Sequence, residues 1–256
     1  MAPMNGGVPT TEVAAFGDHV SRVLDGLLGG DLTGAYFIGS VALGGFVPAE
    51  SDVDVAAVCR TALGSTQQND VAAAIVEASR ACPARGLEFT LYRDEVVRSL
   101  PQGADFEVNT NAGPRMPRAV HVDADAEPGF WYVLDRAVAH RSGVVISGPP
   151  PGTVFADVPR STLLPALSES LAWHLAHEGA TLHSVLNACR AWRFAEEDVL
   201  GSKLAGAAWA RSRWPDRDVI DAAVALRHGR DAVIEPSAVD AFLAAVSTRL
   251  REAARR

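Results

Sequence analysis

Asp52 and Asp54 stand two residues apart in the run Ser51-Asp-Val-Asp-Val-Ala-Ala-Val58. In a β-strand, side chains two apart share a face. The spacing therefore aims two carboxylates at one point, while Val53 and Val55 turn to a core. Two like charges so close repel unless something positive lies between them. A hard divalent cation with oxygen ligands, Mg²⁺ above all, suits such a pair and commonly arrives with a nucleotide's phosphates. Upstream, the apolar run Ala35 to Ile38 stops at Gly39-Ser40. A strand that turns there into a helix leaves N–H groups open to an anion, and the serine hydroxyl adds a donor. Glu88 is the third acid. It sits mid-strand in the alternating segment Leu87 to Tyr92, a poor place for a carboxylate without a partner. If that strand neighbours the Asp52–Asp54 strand, the three acids converge, and the third can act as general base for a hydroxyl nucleophile. Finally, Lys203 is the single lysine among 23 basic residues. A compact ammonium suits phosphate as a point charge.

The elements that must position these residues follow from periodicity. Residues 11–28 carry an amphipathic helical pattern that ends at Gly29-Gly30. Strands are expected at 34–38, 53–58 and 86–92, with a helix over 69–81 capped by Asn69. Residues 101–129, rich in Gly, Pro, Asn and acids, read as a loop with embedded short strands at 106–109 and 119–122. A helix over 131–140 and a strand over 143–146 follow. Beyond Pro159 the pattern is helical throughout: about 161–177, 179–195, 201–212, 216–229 and 236–254. The expected fold is α+β, with a mixed β-sheet and flanking helices over 1–155 and an all-helical bundle over 156–256.

Composition excludes several classes. With 48% hydrophobic and 21% charged residues over 256 positions, the chain is an ordinary globular one. A net charge of −8, without a basic cluster beyond the C-terminal arginines, argues against a nucleic-acid partner and suits a cationic small molecule. No apolar run reaches the ~20 residues of a membrane span. The opening Met1-Ala-Pro-Met-Asn-Gly-Gly lacks a signal-peptide pattern. Cys59, Cys82 and Cys189 form neither CxxC nor a zinc pattern, so free thiols in a reducing cytoplasm are expected. His174, His177, His183 and Glu178 do not offer the spacing of a zinc site.

Gly39-Ser40, a spacer of about ten residues, Asp52-Val-Asp54 and the later strand acid Glu88 resemble the nucleotidyltransferase superfamily. With Arg190-Ala-Trp192 and Ser202-Lys-Leu-Ala-Gly-Ala-Ala-Trp-Ala210 in the helical region, the chain is similar, from about 20 to 250, to the aminoglycoside adenylyltransferases. These modify streptomycin at its 3″-hydroxyl and spectinomycin at its 9-hydroxyl. The resemblance implies that Asp52 and Asp54 hold Mg²⁺ with Glu88 beside it, that Gly39, Ser40 and Ser51 hold phosphate, and that Glu88 is the catalytic base. It implies that Arg190, Lys203 and His183 reach the nucleotide, ATP, and that two domains clasp it. The stretch Ala172–Thr181 is shorter than the family's acceptor-recognising segment. Glu178 and Trp173 are acceptor contacts by residue type alone, and a monomer is expected. The rival readings are a different acceptor on the same chemistry, or a non-catalytic nucleotide binder or toxin–antitoxin partner on the same scaffold. The joint presence of Asp52, Asp54, Glu88 and Lys203 weighs against the second.

Overall fold

The computed structural model describes residues 7–256; the opening six residues, on which part of the signal-peptide reading falls, lie outside the described residues. The chain divides into two compact units, one ending at Val158 and the other beginning at Pro159.

The first unit is built on a six-stranded sheet. Its elements run α1 (Thr11–Leu28), β1 (Leu32–Phe37), a single-turn α2 (Gly39–Ala42), β2 (Val53–Cys59), α3 (Ser65–Ser79), β3 (Leu87–Arg93), α4 (Asp94–Ser99), β4 (Phe106–Gly113), β5 (Met116–His121), α5 (Gly129–Ser142), β6 (Val144–Ser147) and the short α6 (Pro151–Val154). The strand order is β5-β4-β3-β2-β1-β6. Only β2 and β3 pair in parallel, which requires a crossover, and α3 supplies it. That pair lies at the centre and is apolar on both faces, as a sheet covered on two sides must be. On one face Val53, Val55, Ala57, Leu87, Phe89 and Leu91 pack with residues of α1 and α3. On the other Ala56, Val58 and Tyr92 pack with Tyr36, Ile38 and, from α5, Tyr132 and Ala139.

Two expectations are corrected. The segment 101–129 is no loop with strand fragments: β4 and β5 form a hairpin that extends the sheet. Its polar residues find partners inside it, since the buried Asn109 amide donates to the Phe89 carbonyl and the Thr90 hydroxyl. The helix expected at 69–81 begins four residues earlier, at Ser65 with Gly64 as its cap. The strand expected from residue 53 does begin there, so Asp52 stands just before β2 and Asp54 within it.

The second unit comprises α7 (Arg160–His177), α8 (Leu182–Glu197), α9 (Lys203–Arg211), α10 (Asp218–Arg227) and α11 (Pro236–Ala253). Every other helix of the unit packs against α8, whose Val185, Leu186, Ala188, Cys189, Ala191, Trp192, Phe194 and Ala195 are buried. Thr181 caps its start by accepting from the Ser184 N–H. At its other end Arg160 donates to the carbonyls of Phe194 and Ala195, at 3.0 and 2.6 Å, satisfying acceptors that the helix terminus leaves over. No helix among the described residues is long and apolar enough to cross a membrane.

Candidate active site

In the first unit the parallel register sets Asp54 of β2 directly beside Glu88 of β3. Cross-strand neighbours share a face, so the two carboxyls meet on the side that α5 covers, and Glu88 hydrogen-bonds to Asp54. Two carboxyls bonded to one another must share a proton. Burial pushes the Asp54 carboxyl up from 3.8 to about 7, and the charges of Asp135 and Asp52 push in the same direction. Part of the Asp54 surface stays accessible, yet protein surrounds it closely enough for desolvation to lead. Glu88, by contrast, is exposed, within reach of an incoming hydroxyl.

Asp135 is a residue that the sequence reading missed. It lies on α5 three residues after Tyr132 and four before Ala139, both buried on the core-facing side. The only available signal was an acid sharing an apolar helical stripe.

Asp52 sits at the edge of this group and pairs with Arg85 at 3.5 Å, a second residue the sequence did not suggest. Ser51 beside it is buried. Its hydroxyl accepts from the Val47 N–H at 3.0 Å, which shapes the loop leading to the acids. Gly39 has φ +53°, and a Cβ there would stand inside the Asp54 carboxylate; only glycine permits both. The Ser40 N–H donates to Asp54 Oδ2 at 3.3 Å, and its hydroxyl to the Asp52 carbonyl at 3.5 Å. The Gly-Ser turn thus abuts the paired acids, and the N–H expected to meet phosphate serves a carboxylate.

Among the described residues no three His, Cys, Asp or Glu side chains gather closely enough to cage a metal on their own. Mg²⁺ does not ask for that: it keeps several waters and takes one or two carboxylates together with substrate phosphates. Crowded oxygen donors, one of them driven toward protonation by burial and then by its neighbours' charge, fit a hard cation.

The second unit gathers the cations. Lys203, Arg227 and His174 each disfavour a charge on His183, and with burial as the leading cause they hold it at about 4, Glu178 opposing. Lys203 and Arg190 likewise lower His174, again behind burial. Four of the expected residues, His183, Arg190, Lys203 and Glu178, therefore share one neighbourhood. Gly206 makes it possible. A Cβ there would lie 2.9 Å from the Arg190 backbone nitrogen, so glycine lets α9 press against α8 one turn beyond Lys203. Arg227, buried at the end of α10, and Asn187, buried on α8, were not foreseen. Trp173 stacks on His177, rings 4.6 Å apart, and Glu178 bonds His174. Both expected acceptor contacts are thus engaged within the unit, while the Glu178 side chain remains 30% exposed.

No curated protein sequence matches the chain. Residues 153–249 match the family model described as the aminoglycoside adenylyltransferase C-terminal domain. Among solved structures, the chain shares its fold with the spectinomycin adenyltransferase AAD(9) from Enterococcus faecialis, crystallised with ATP and spectinomycin. The TM-score is 0.70 at 18% identity, over 95% of this chain and all of that one. The family match thus covers the C-terminal part of the chain, and the likeness to the solved structure is one of fold over nearly its whole length.

Proposed function

We propose that the chain transfers AMP from ATP to a hydroxyl of an aminoglycoside or aminocyclitol antibiotic, spectinomycin or streptomycin, and releases pyrophosphate. The observation that carries this reading is the register pairing of Asp54 with Glu88, with Asp52 and the Gly39-Ser40 turn against the same carboxylate. Asp52 and Asp54, with Glu88 adjoining, would hold Mg²⁺, which when bound supplies positive charge to phosphate oxygens. Gly39, Ser40 and Ser51 would border the phosphates from the first unit. Lys203, Arg190 and the neutral His183 would meet the nucleotide from the second, where an excess of cations favours a polyanion.

Glu88 takes the proton of the acceptor hydroxyl. The freed oxygen attacks the α-phosphorus, the bond to the β-phosphate oxygen breaks, and pyrophosphate carries away the electron pair. The proton that Glu88 shares with Asp54 must leave before Glu88 can serve as a base. The exposed position of Glu88 and the charge pressure on Asp54 both suit that loss once a cation arrives. A cationic acceptor suits the acidic chain and the partly exposed Glu178, with Trp173 nearby as an apolar face. We further read the enzyme as a cytoplasmic monomer that acts on small molecules.

The test is incubation with ATP, with and without Mg²⁺, against a panel containing spectinomycin and streptomycin. A product heavier by one AMP unit, with equimolar pyrophosphate and only in the presence of the cation, is the expected result. Turnover unchanged in EDTA would overturn the metal assignment. A complete panel without adduct would move the acceptor outside the class.

A further inference from the structure

The second unit contains a buried polar chain that reaches from a helix terminus to Arg190. Glu178 ends α7, and one of its oxygens lies 2.7 Å from His174 Nδ1. His174 Nε2 lies 2.6 Å from the Asn187 side-chain nitrogen. The Asn187 oxygen accepts from the Arg190 guanidinium at 2.8 Å. His174 and Asn187 are both buried, 5% and 8% exposed. The Ser184 hydroxyl, donating to the Gly179 carbonyl at 2.7 Å, ties the start of α8 to the turn that carries Glu178.

The chain has one self-consistent direction. A carboxylate only accepts, so Nδ1 must carry the imidazole proton. Nε2 is then an acceptor, which obliges Asn187 to present its NH₂ to the ring and its oxygen to Arg190. Each link fixes the next. If the ring proton moved to Nε2, two donors would face each other, the amide would turn over, and its NH₂ would confront a guanidinium that has only donors. Lys203, Arg190 and His183 are the other titratable groups facing this ring, and Glu178 is the anion among them.

We propose that Glu178, His174 and Asn187 form a positioning chain for Arg190: the carboxylate sets the imidazole tautomer, the tautomer sets the amide, and the amide aims the guanidinium at the nucleotide. The inference rests on the assignment of Arg190 to ATP, and it gives Glu178 a task other than recognition of the acceptor. A guanidinium held in place before binding loses less freedom when the phosphates arrive.

The experiment is a double-mutant cycle on the full chain with Asn187→Leu, Arg190→Met and both together, read as KM for ATP and as kcat. It is joined by side-chain ¹⁵N NMR of Arg190 and His174, and by Glu178→Ala at the partly exposed helix end should Asn187→Leu not fold. Each single variant is expected to raise KM for ATP ~10-fold or more with kcat changed far less, and the double variant to be no worse than Arg190→Met. In wild type the His174 nitrogens should show the Nδ1–H tautomer. In Glu178→Ala that signature should become mixed, and the Arg190 signals should narrow with gained mobility. Additive effects in the cycle, or an unmoved Arg190 signal, would overturn the positioning chain. If Arg190→Met leaves KM unchanged while the Arg190 signals still respond to Glu178→Ala, the nucleotide assignment fails and with it the functional half of the inference, while the chain itself stands.

Discussion

Asp54→Asn should make the metal-free protein more stable while ending its chemistry. Folding takes the Asp54 carboxyl from 3.8 to about 7, chiefly through burial and then through Asp135 and Asp52. Between those values the folded state binds a proton that the unfolded chain gives up. Wild-type stability therefore falls as pH rises from about 4 to about 7, and above that the loss is complete. A rise of that size corresponds to ~4 kcal/mol. Solvent reaching the half-buried carboxylate screens part of this, so ~2–4 kcal/mol is expected. A neutral amide of the same shape escapes the penalty and can still bond Glu88. Urea unfolding in EDTA, with hydrogen exchange followed on β2 and β3 peptides, should give the variant ~2–4 kcal/mol at about pH 8 and less than half of that gain at about pH 5. With Mg²⁺, ATP and acceptor, AMP transfer should vanish. A variant no more stable than wild type at about pH 8, or equally favoured at both pH values, would refute the account of crowded carboxylates.

Glu88→Gln should keep ATP binding, measured by calorimetry, and slow single-turnover AMP transfer by ~10²–10⁴, the range for a lost general base; undiminished transfer would remove Glu88 from the proton step. Gly39→Ala forces a side chain onto φ +53° and into the Asp54 carboxylate. The backbone conformation alone costs ~1–2 kcal/mol, so urea titration should show at least that loss, and a change within ~0.5 kcal/mol would contradict the close approach. His183 should titrate by NMR near 4, well below its ordinary value. Because its folded value is depressed, its contribution to stability is whole above about 6.5 and is lost as pH falls toward 4; a midpoint at or above 6.5 would dismiss the cationic surroundings.

The pairing of Asp54 with Glu88 could be anticipated because strand periodicity put each acid on the face opposite its flanking apolar residues. The β2–β3 register then had to be only approximately right for them to meet. Asp52 was harder: it stands just before the strand, where periodicity no longer fixes its direction, and its Arg85 partner lies in a loop without pattern. The β4–β5 hairpin escaped notice because Asn109, Thr110, Asn111 and Pro117 look like loop chemistry. Asn109 finds its partners on β3, and Pro117 stands on the edge strand β5, where proline is tolerated; neither is visible along the chain. Asp135, Asn187 and Arg227 failed for one shared reason. A polar residue on a helix reads as solvated until the packing of a second helix or a sheet shows otherwise, and that packing is a tertiary fact. Gly206 was in plain sight within the quoted lysine segment, but its meaning depends on how closely α9 approaches Arg190.

Electrostatics distinguishes the residues gathered in the two units. In the first unit Asp54 is raised by burial and then by the charges of Asp135 and Asp52, and a cation would relieve the charge part of that perturbation. In the second, His183 and His174 are lowered first by burial and then by Lys203 with Arg227 or Arg190, with Glu178 opposing. A structural ion-pair network does the opposite: it sets unlike charges together and leaves little for a ligand to add, as in the Arg211–Asp221 and Arg98–Asp94 pairs on the surface. Here like charges disfavour the charged forms of Asp54 and His183, alongside the pairings of Asp52 with Arg85 and of Glu178 with His174. Ligands that bind only the folded state offset such a cost by mass action. Perturbed groups of this kind mark a candidate functional site within each unit, and the opposite sense of the two perturbations says that each site disfavours a different sign of charge.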